Sequence, residues 1–248
     1  MTAVVAIPAR LRSSRLPRKV LADIAGSSLL RRTYEVALDA GCGPVVVLAD
    51  SEEVAEEARS FGATIIMTAP ELESGTARIA SVADGLDADV VVNLQGDAPL
   101  TEPDTLVRSV EEGERTGADV TMPVHRIADL RDVFDPNVVK VVRAADGRAL
   151  YCSRTAIPYV RDHDAAQWLR VTPFWAHIGL YAYRRGFLAT FAALPPSPLE
   201  DAERLEQLRW LDAGADVHTF EVPPQGPSVD TPSDLERVRA RFLAGATR

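Results

Sequence analysis

The sequence predicts an α/β fold built on a mainly parallel sheet, and three observations carry that prediction. Short Val- and Ile-rich runs alternate with helical patterns through the first half of the chain. Those runs are apolar at successive positions, as expected of strands covered on both faces. Helix-capping residues and glycines punctuate the boundaries between them. Strands alternating with helices of about ten to fifteen residues imply right-handed crossovers and parallel neighbours.

In order, Val4 to Ile7 reads as a strand buried on both faces, and Ser28 to Ala40 as a helix ending at Gly41. Val45 to Ala49 is a second strand. Ser51 is then expected to cap a helix running to about Phe61, with Glu52 and Glu53 favourably placed in its first turn. Thr64 to Met67 and Asp89 to Leu94 give the third and fourth strands. After Asp119 the rhythm changes. Val138 to Ala144, a turn at Asp146-Gly147 and Arg148 to Cys152 read as a β-hairpin. Ile178 to Tyr183 is a further strand, followed by helices from Arg185 and from Leu199. Ser197-Pro198 and Thr231-Pro232 each combine a cap with proline at the first helical position. Tyr159 to Pro173 is polar and irregular, a loop by this reading. There is no internal repeat and no linker, so 1–248 is expected to form one domain.

A chain of 248 residues with 46% hydrophobic content can bury a full core. Its net charge of −9 argues against a nucleic-acid-binding surface, which would show a broad basic face. Cys42 and Cys152 are isolated, the usage of a reducing compartment. No apolar run is long enough to span a bilayer and no signal peptide is evident, so a cytoplasmic protein without membrane association is expected.

Against that acidic background, Arg10, Arg12, Arg15, Arg18 and Lys19 crowd the loop after the first strand. The carboxyl end of a parallel strand is where open α/β sheets bind ligands, and a bound anion explains such a cluster. Only two of the 27 basic residues are lysines, Lys19 and Lys140. A chain that spells nearly every cation as arginine keeps lysine where a compact ammonium is required. The loop has neither GxGxxG nor the GxxxxGK[ST] phosphate loop, so charge neutralisation must come from side chains such as Arg10, Arg15 and Lys19. Gln95-Gly96-Asp97 follows the fourth strand directly. A carboxylate there suits Mg²⁺, which takes one or two protein carboxylates beside phosphate oxygens and water. Capping is the alternative role, but the next helix starts only near Glu102. Thr231 is the natural cap of the last helix, which leaves Asp230 as a second candidate ligand for the same ion. Glu73-Ser74-Gly75-Thr76-Ala77-Arg78 enters a helix, either as an ordinary cap or as an anion-binding N-terminus.

In this order and spacing, these segments resemble the cytidylyltransferases that activate 3-deoxy-manno-octulosonate (Kdo) as its CMP sugar. The likeness runs from Ile7-Pro8-Ala9-Arg10 to Val229-Asp230-Thr231-Pro232. It includes Asp135-Pro136-Asn137-Val138-Val139-Lys140, Ser153-Arg154, His177-Ile178-Gly179-Leu180-Tyr181 and Leu205-Glu206-Gln207-Leu208-Arg209. The resemblance implies a Rossmann-like nucleotidyltransferase fold with a β-rich extension that makes a homodimer. The CTP-binding core would span about 1–125 and 215–248, and the acceptor-binding and dimerising part about 126–214. CTP would be held by Ala9, Arg10, Arg15, Lys19, Ser74, Gly75 and Gln95, with Mg²⁺ on Asp97 and Asp230. Arg78, Gln95, Lys140, Arg154, His177, Tyr181, Glu206 and Gln207 would hold the acceptor. Arg10, Lys19, Asp97 and Asp230 would carry catalysis, in which an acceptor oxygen attacks the α-phosphorus and pyrophosphate leaves.

Three positions depart from the family pattern: Ala98 and Ala77 stand where an acid is usual, and Ala176 where a base is common. The nucleotide chemistry thus reads as intact while the acceptor stays open between a Kdo-like sugar acid and a phosphonate, which relatives of the family cytidylylate. A glycosyltransferase would normally show DxD, which Gln95-Gly96-Asp97 lacks. A non-catalytic nucleotide binder would not need two separated carboxylates and Lys19.

Overall fold

The computed structural model describes residues 1–13, 15–72 and 74–245. Ser14 and Glu73 of the motifs above, and 246–248 of the expected domain, lie outside the described residues. Ten strands among them form one sheet. They are β1 (Ala3–Ala9), β2 (Val45–Ala49), β3 (Thr64–Met67), β4 (Val90–Leu94), β5 (Val120–Arg126), β6 (Lys140–Arg143), β7 (Ala149–Ser153), β8 (Trp175–His177), β9 (Leu180–Arg184) and β10 (Val217–Glu221). The order is β3-β2-β1-β4-β9-β5-β8-β6-β7, with β10 paired to β5. β9 lies antiparallel between β4 and β5, so every strand except β7, β8 and β9 points the same way. The expected mainly parallel α/β sheet is therefore present.

Period-two alternation decides which side chains meet. On β4, Val90, Val92 and Leu94 join the core formed with helices Leu29–Ala40 and Pro103–Thr116. Val91 faces the opposite core, with Tyr181, Tyr183, Trp210 and helix Arg185–Ala193. Asn93 shares the register of Val91, and so enters that second layer as a fully buried amide.

The caps at Ser28, Ser197 and Thr231 are present, the last as a capping box with Asp234. Ser51 differs. It precedes helix Glu52–Ser60, but its hydroxyl makes no cap bond and is buried without a partner. The stretch Tyr159 to Pro173 also differs, because it holds a short helix, Trp168–Val171. Trp168 stacks on Phe174 with centroids 5.9 Å apart and anchors a small third core. The hairpin β6–β7 curls round until Arg148 bridges His218 on β10. No helix among the described residues is long and apolar enough to cross a membrane.

Candidate active site

The loop after β1 folds back on itself. Arg18 N–H donates to the Leu11 carbonyl at 3.1 Å, and Arg18 adopts a left-handed φ of 58° before a tight turn over Lys19–Leu21. A non-glycine residue in that region costs about 1–2 kcal/mol. The turn delivers Lys19, only 7% exposed, beneath the carboxyl ends of β1 and β4.

Asp97 reaches the same point from β4 through Gly96, where a Cβ would come to 3.0 Å from the Pro8 carbonyl. The Val229 N–H donates to the Asp97 carbonyl at 2.9 Å and so brings Asp230 alongside. Thr231 and Asp234 satisfy the start of the last helix, which leaves the Asp230 carboxylate for other partners. Lys19 Nζ then donates to Asp97 Oδ2, to Asp230 Oδ1 at 2.9 Å and to the Val229 carbonyl at 3.2 Å. Burial alone would lower the Lys19 pKa, but the Asp97 and Asp230 carboxylates outweigh it and the net shift is upward. Arg15 approaches Asp230 Oδ1 at 3.3 Å from the solvent side.

Two cavities share this wall. One, of about 240 Å³, is lined by cationic Arg10, Lys19 and Arg78 together with Ser74, Gly75, Gln95 and Asp97. The other, of about 350 Å³, is lined by Gln95, Asp97, His125, His177 and Asp230, among others. Gln95 and Asp97 thus face both. The first suits a phosphate-bearing ligand, because its cations come from three separate chain segments. Ala9 is buried and closes the end of β1. Ser74 caps the helix at Gly75, accepting from Ala77 N at 3.0 Å. A Cβ on Gly75 would lie 2.8 Å from Gln95 Nε2, so glycine lets the helix approach that amide.

The residues expected to hold the acceptor divide. Gln95 and His177 line the second cavity. Tyr181 and Gln207 stand behind His177: its Nε2 lies 2.7 Å from Tyr181 Oη and 3.2 Å from Gln207 Nε2. The Gln207 amide nitrogen can only donate, which makes His177 Nε2 an acceptor and assigns the ring proton to Nδ1. Burial, assisted by the nearby His125, holds the His177 pKa down at about 4. Glu206 sits behind Thr76; burial raises its pKa against the hydroxyls of Ser74 and Thr76.

Three others lie elsewhere. Arg78 is on the first cavity and is spent on the preceding loop, donating to the carbonyls of Ala69 (3.1 Å) and Leu72 (3.2 Å). Arg154 donates to the Glu203 carbonyl at 2.7 Å and the Pro136 carbonyl at 2.9 Å, beside an open basin that Arg15 and Asp230 also line. Lys140 is brought to neither cavity. It is fully buried, and its ammonium donates to the carbonyls of Asp135 (2.8 Å), Val138 (2.6 Å) and Arg154 (2.6 Å). Sequence reasoning passed over His125, a polar residue near the end of an apolar strand. It also passed over Thr76, Asn93 and Tyr183. Their mutual contacts depend on strand pairing that no local motif announces.

Of the three departures, Ala98 lines the second cavity. Ala77 packs on the second core layer, and Ala176 is buried in the third core.

A mainly parallel sheet with anion-binding side chains and two carboxylates at its carboxyl edge defines a nucleotidyltransferase. Residues 4–217 match the cytidylyltransferase family model, and the chain belongs to that family. It is 46% identical to the 3-deoxy-manno-octulosonate cytidylyltransferase of Acidobacterium capsulatum, over 96% of this chain and 95% of that one. It is 44% identical to the enzyme of the same name from Chlorobium limicola, over the full length of both. The solved structure of CMP:2-keto-3-deoxy-manno-octonic acid synthetase complexed with CTP superposes with a TM-score of 0.93 at 40% identity, covering 99% of this chain and 100% of that one. A cytidylyltransferase from Leptospira borgpetersenii, 16% identical with a TM-score of 0.64, shares the fold.

Proposed function

We propose that this cytidylyltransferase transfers the CMP unit of CTP to 3-deoxy-manno-octulosonate, releasing pyrophosphate. The observation that carries the reading is the convergence of Lys19, Asp97 and Asp230 on the wall between two cavities. One cavity is cationic and suits the triphosphate; the other offers amide and imidazole groups to a hydroxylated acid. The names of the 44–46% identical relatives favour the sugar acid. Two of the three departures that leave the acceptor open face apolar cores.

Arg10 and Lys19 would neutralise the phosphates, and pyrophosphate would gain most as charge builds on it. Arg15 would approach the same groups from solvent, with Ser74, Gly75 and the Ala9 backbone framing the nucleotide. Neutral His177, steadied by Tyr181 and Gln207, would present Nδ1–H to the acceptor, while Arg78 and Arg154 hold the surrounding loops. Asp97 and Asp230 fit Mg²⁺, since two hard carboxylates already share one cation, the Lys19 ammonium. Bound there, Mg²⁺ would neutralise phosphate charge and help align the reacting groups.

Sequence and surface together support a cytoplasmic homodimer. Phe134 and Val171, each about half exposed, and Tyr159, 77% exposed, surround buried Trp168 and offer an apolar face to a second copy. We assign 1–248 to one domain, with the nucleotide held by about 1–125 and 215–248 and the acceptor by about 126–214. Pyrophosphate release with CTP and Mg²⁺, measured against Kdo and a phosphonate panel, tests the reading. Turnover with Kdo is expected; turnover with phosphonates alone, or with neither, overturns it.

A further inference from the structure

Asn93 is the fully buried amide of β4, and no apolar core requires it. Its Oδ1 accepts from Gln95 Nε2 at 2.8 Å, and its Nδ2 lies 3.5 Å from Tyr183 Oη. Tyr183 Oη is 2.7 Å from Thr76 Oγ1, which in turn donates to Glu206 Oε1. The contacts follow from register. Tyr183 pairs with Val91 on β4, and Asn93 and Gln95 continue the same face at intervals of two. Trp210 meets the rings of Tyr181 and Tyr183 edge-on, with centroids 4.9 and 5.6 Å away, and fixes where those hydroxyls sit.

The polarity of this chain is set at one end. A carboxylate only accepts, so Thr76 donates to Glu206 and takes the Tyr183 proton in its own acceptor position. Tyr183 must then accept from the Asn93 NH₂, which turns the Asn93 carbonyl toward Gln95. Gln95 answers with its own NH₂. Its Oε1, which has no hydrogen-bond partner among the described residues, is left to the two cavities that Gln95 lines.

The geometry points to Asn93 as a positioning residue: with Tyr183 and Thr76, it transmits the orientation imposed by Glu206 to the Gln95 amide, so that the cavities meet a carbonyl acceptor. The ligand group recognised is therefore a hydrogen-bond donor, either the exocyclic amine of cytosine or a hydroxyl of the sugar acid. This rests on the function proposed above.

The test compares Asn93→Leu with Asn93→Asp. If Asn93 merely fills space, leucine suits a buried apolar strand better than a carboxylate does. If it positions Gln95, the order reverses in KM, because aspartate still accepts from Gln95 Nε2 and leucine cannot. We expect Asn93→Leu to raise a substrate KM about tenfold with kcat changed less than threefold, and Asn93→Asp to restore most of the loss. Thr76→Val and Tyr183→Phe, which each remove one hydroxyl at nearly constant volume, should move the same parameter in the same direction. They decide the matter if Asn93→Leu fails to fold. If the amine is the donor, preference for CTP over UTP falls in these variants. If a hydroxyl is, the KM for Kdo rises while that preference holds. KM values within twofold of wild type and an unchanged CTP-to-UTP ratio would overturn the proposal. Wild-type protein that releases no pyrophosphate from CTP and Kdo would defeat the functional reading instead. Calorimetric titration of the same variants with CTP and with Kdo would then still decide the relay, since loss of affinity supports it and unchanged affinity overturns it.

Discussion

The surroundings of Lys19 and of Lys140 put the same side chain to opposite uses. Both ammonium groups are buried and each makes three bonds. Around Lys19, two of the partners are carboxylates on a cavity wall, and the net effect is to raise its pKa. Around Lys140 all three are backbone carbonyls, and burial lowers its pKa, with Asp135 and Glu203 only partly opposing. A cation bound by charges that can be re-partnered is available to a ligand. A cation caged by the backbone ties loops together and has nothing left to offer.

The sharpest way to break this comparison is to remove each charge. Lys19→Met should lower kcat/KM by about 10²–10³, the scale of losing one preorganised donor to a developing charge. It should lower the melting temperature less than Lys140→Met does, because the Asp97 and Asp230 carboxylates it leaves behind are partly open to solvent. Steady-state kinetics and thermal melting check both halves, and a large loss of stability would make Lys19 structural after all. Lys140→Met should do the reverse. Orphaning buried carbonyls costs about 2–4 kcal/mol, hence roughly 4–16 °C in Tm, while CTP affinity measured well below the transition stays unchanged. Asp230→Asn leaves Lys19 tied to Asp97 and should raise the Mg²⁺ concentration for half-maximal activity about tenfold, read from a magnesium titration. The smallest effect belongs to His177, a half-buried base whose pKa, like that of Lys140, is lowered by desolvation. Its pKa falls from 6.5 to about 4 on folding, so the unfolded chain binds the extra proton between those values. Stability should therefore decline as pH falls below 6.5, by about 1 kcal/mol at pH 6, and His177→Gln should flatten that limb in denaturant titrations.

The sequence and structure agree where structure is local. The strands β1 to β4 are runs of apolar residues closed by recognisable helix starts, and Thr231-Pro232 spells its cap outright. β5 and β10 passed unread. β10 places His218 and Glu221 among apolar residues, and its parallel partner lies far away in sequence. Ser51 has the residue type of a cap, yet its hydroxyl is turned into the protein, a rotamer choice that sequence does not encode. In the candidate site, Lys19 stood out by the cluster of cations and the scarcity of lysine, and Asp97 and Asp230 by lying within three residues of a strand end or a helix start. Lys140 was misread for an instructive reason. Its rarity did signal that a compact ammonium is needed, since a planar guanidinium could not donate to three carbonyls converging on one point. What rarity could not tell was whether phosphate or backbone does the converging.

The stretch from Trp175 to Arg184 bears on how the enzyme can move. It runs along β5 as β8 and β9, while its other edge pairs first with β6 and then with β4. One continuous ribbon therefore stitches the β6 side of the sheet to the β4 side. A hinge between them would have to tear those ladders. Amide exchange should find this ribbon among the slowest parts of the molecule, with or without nucleotide.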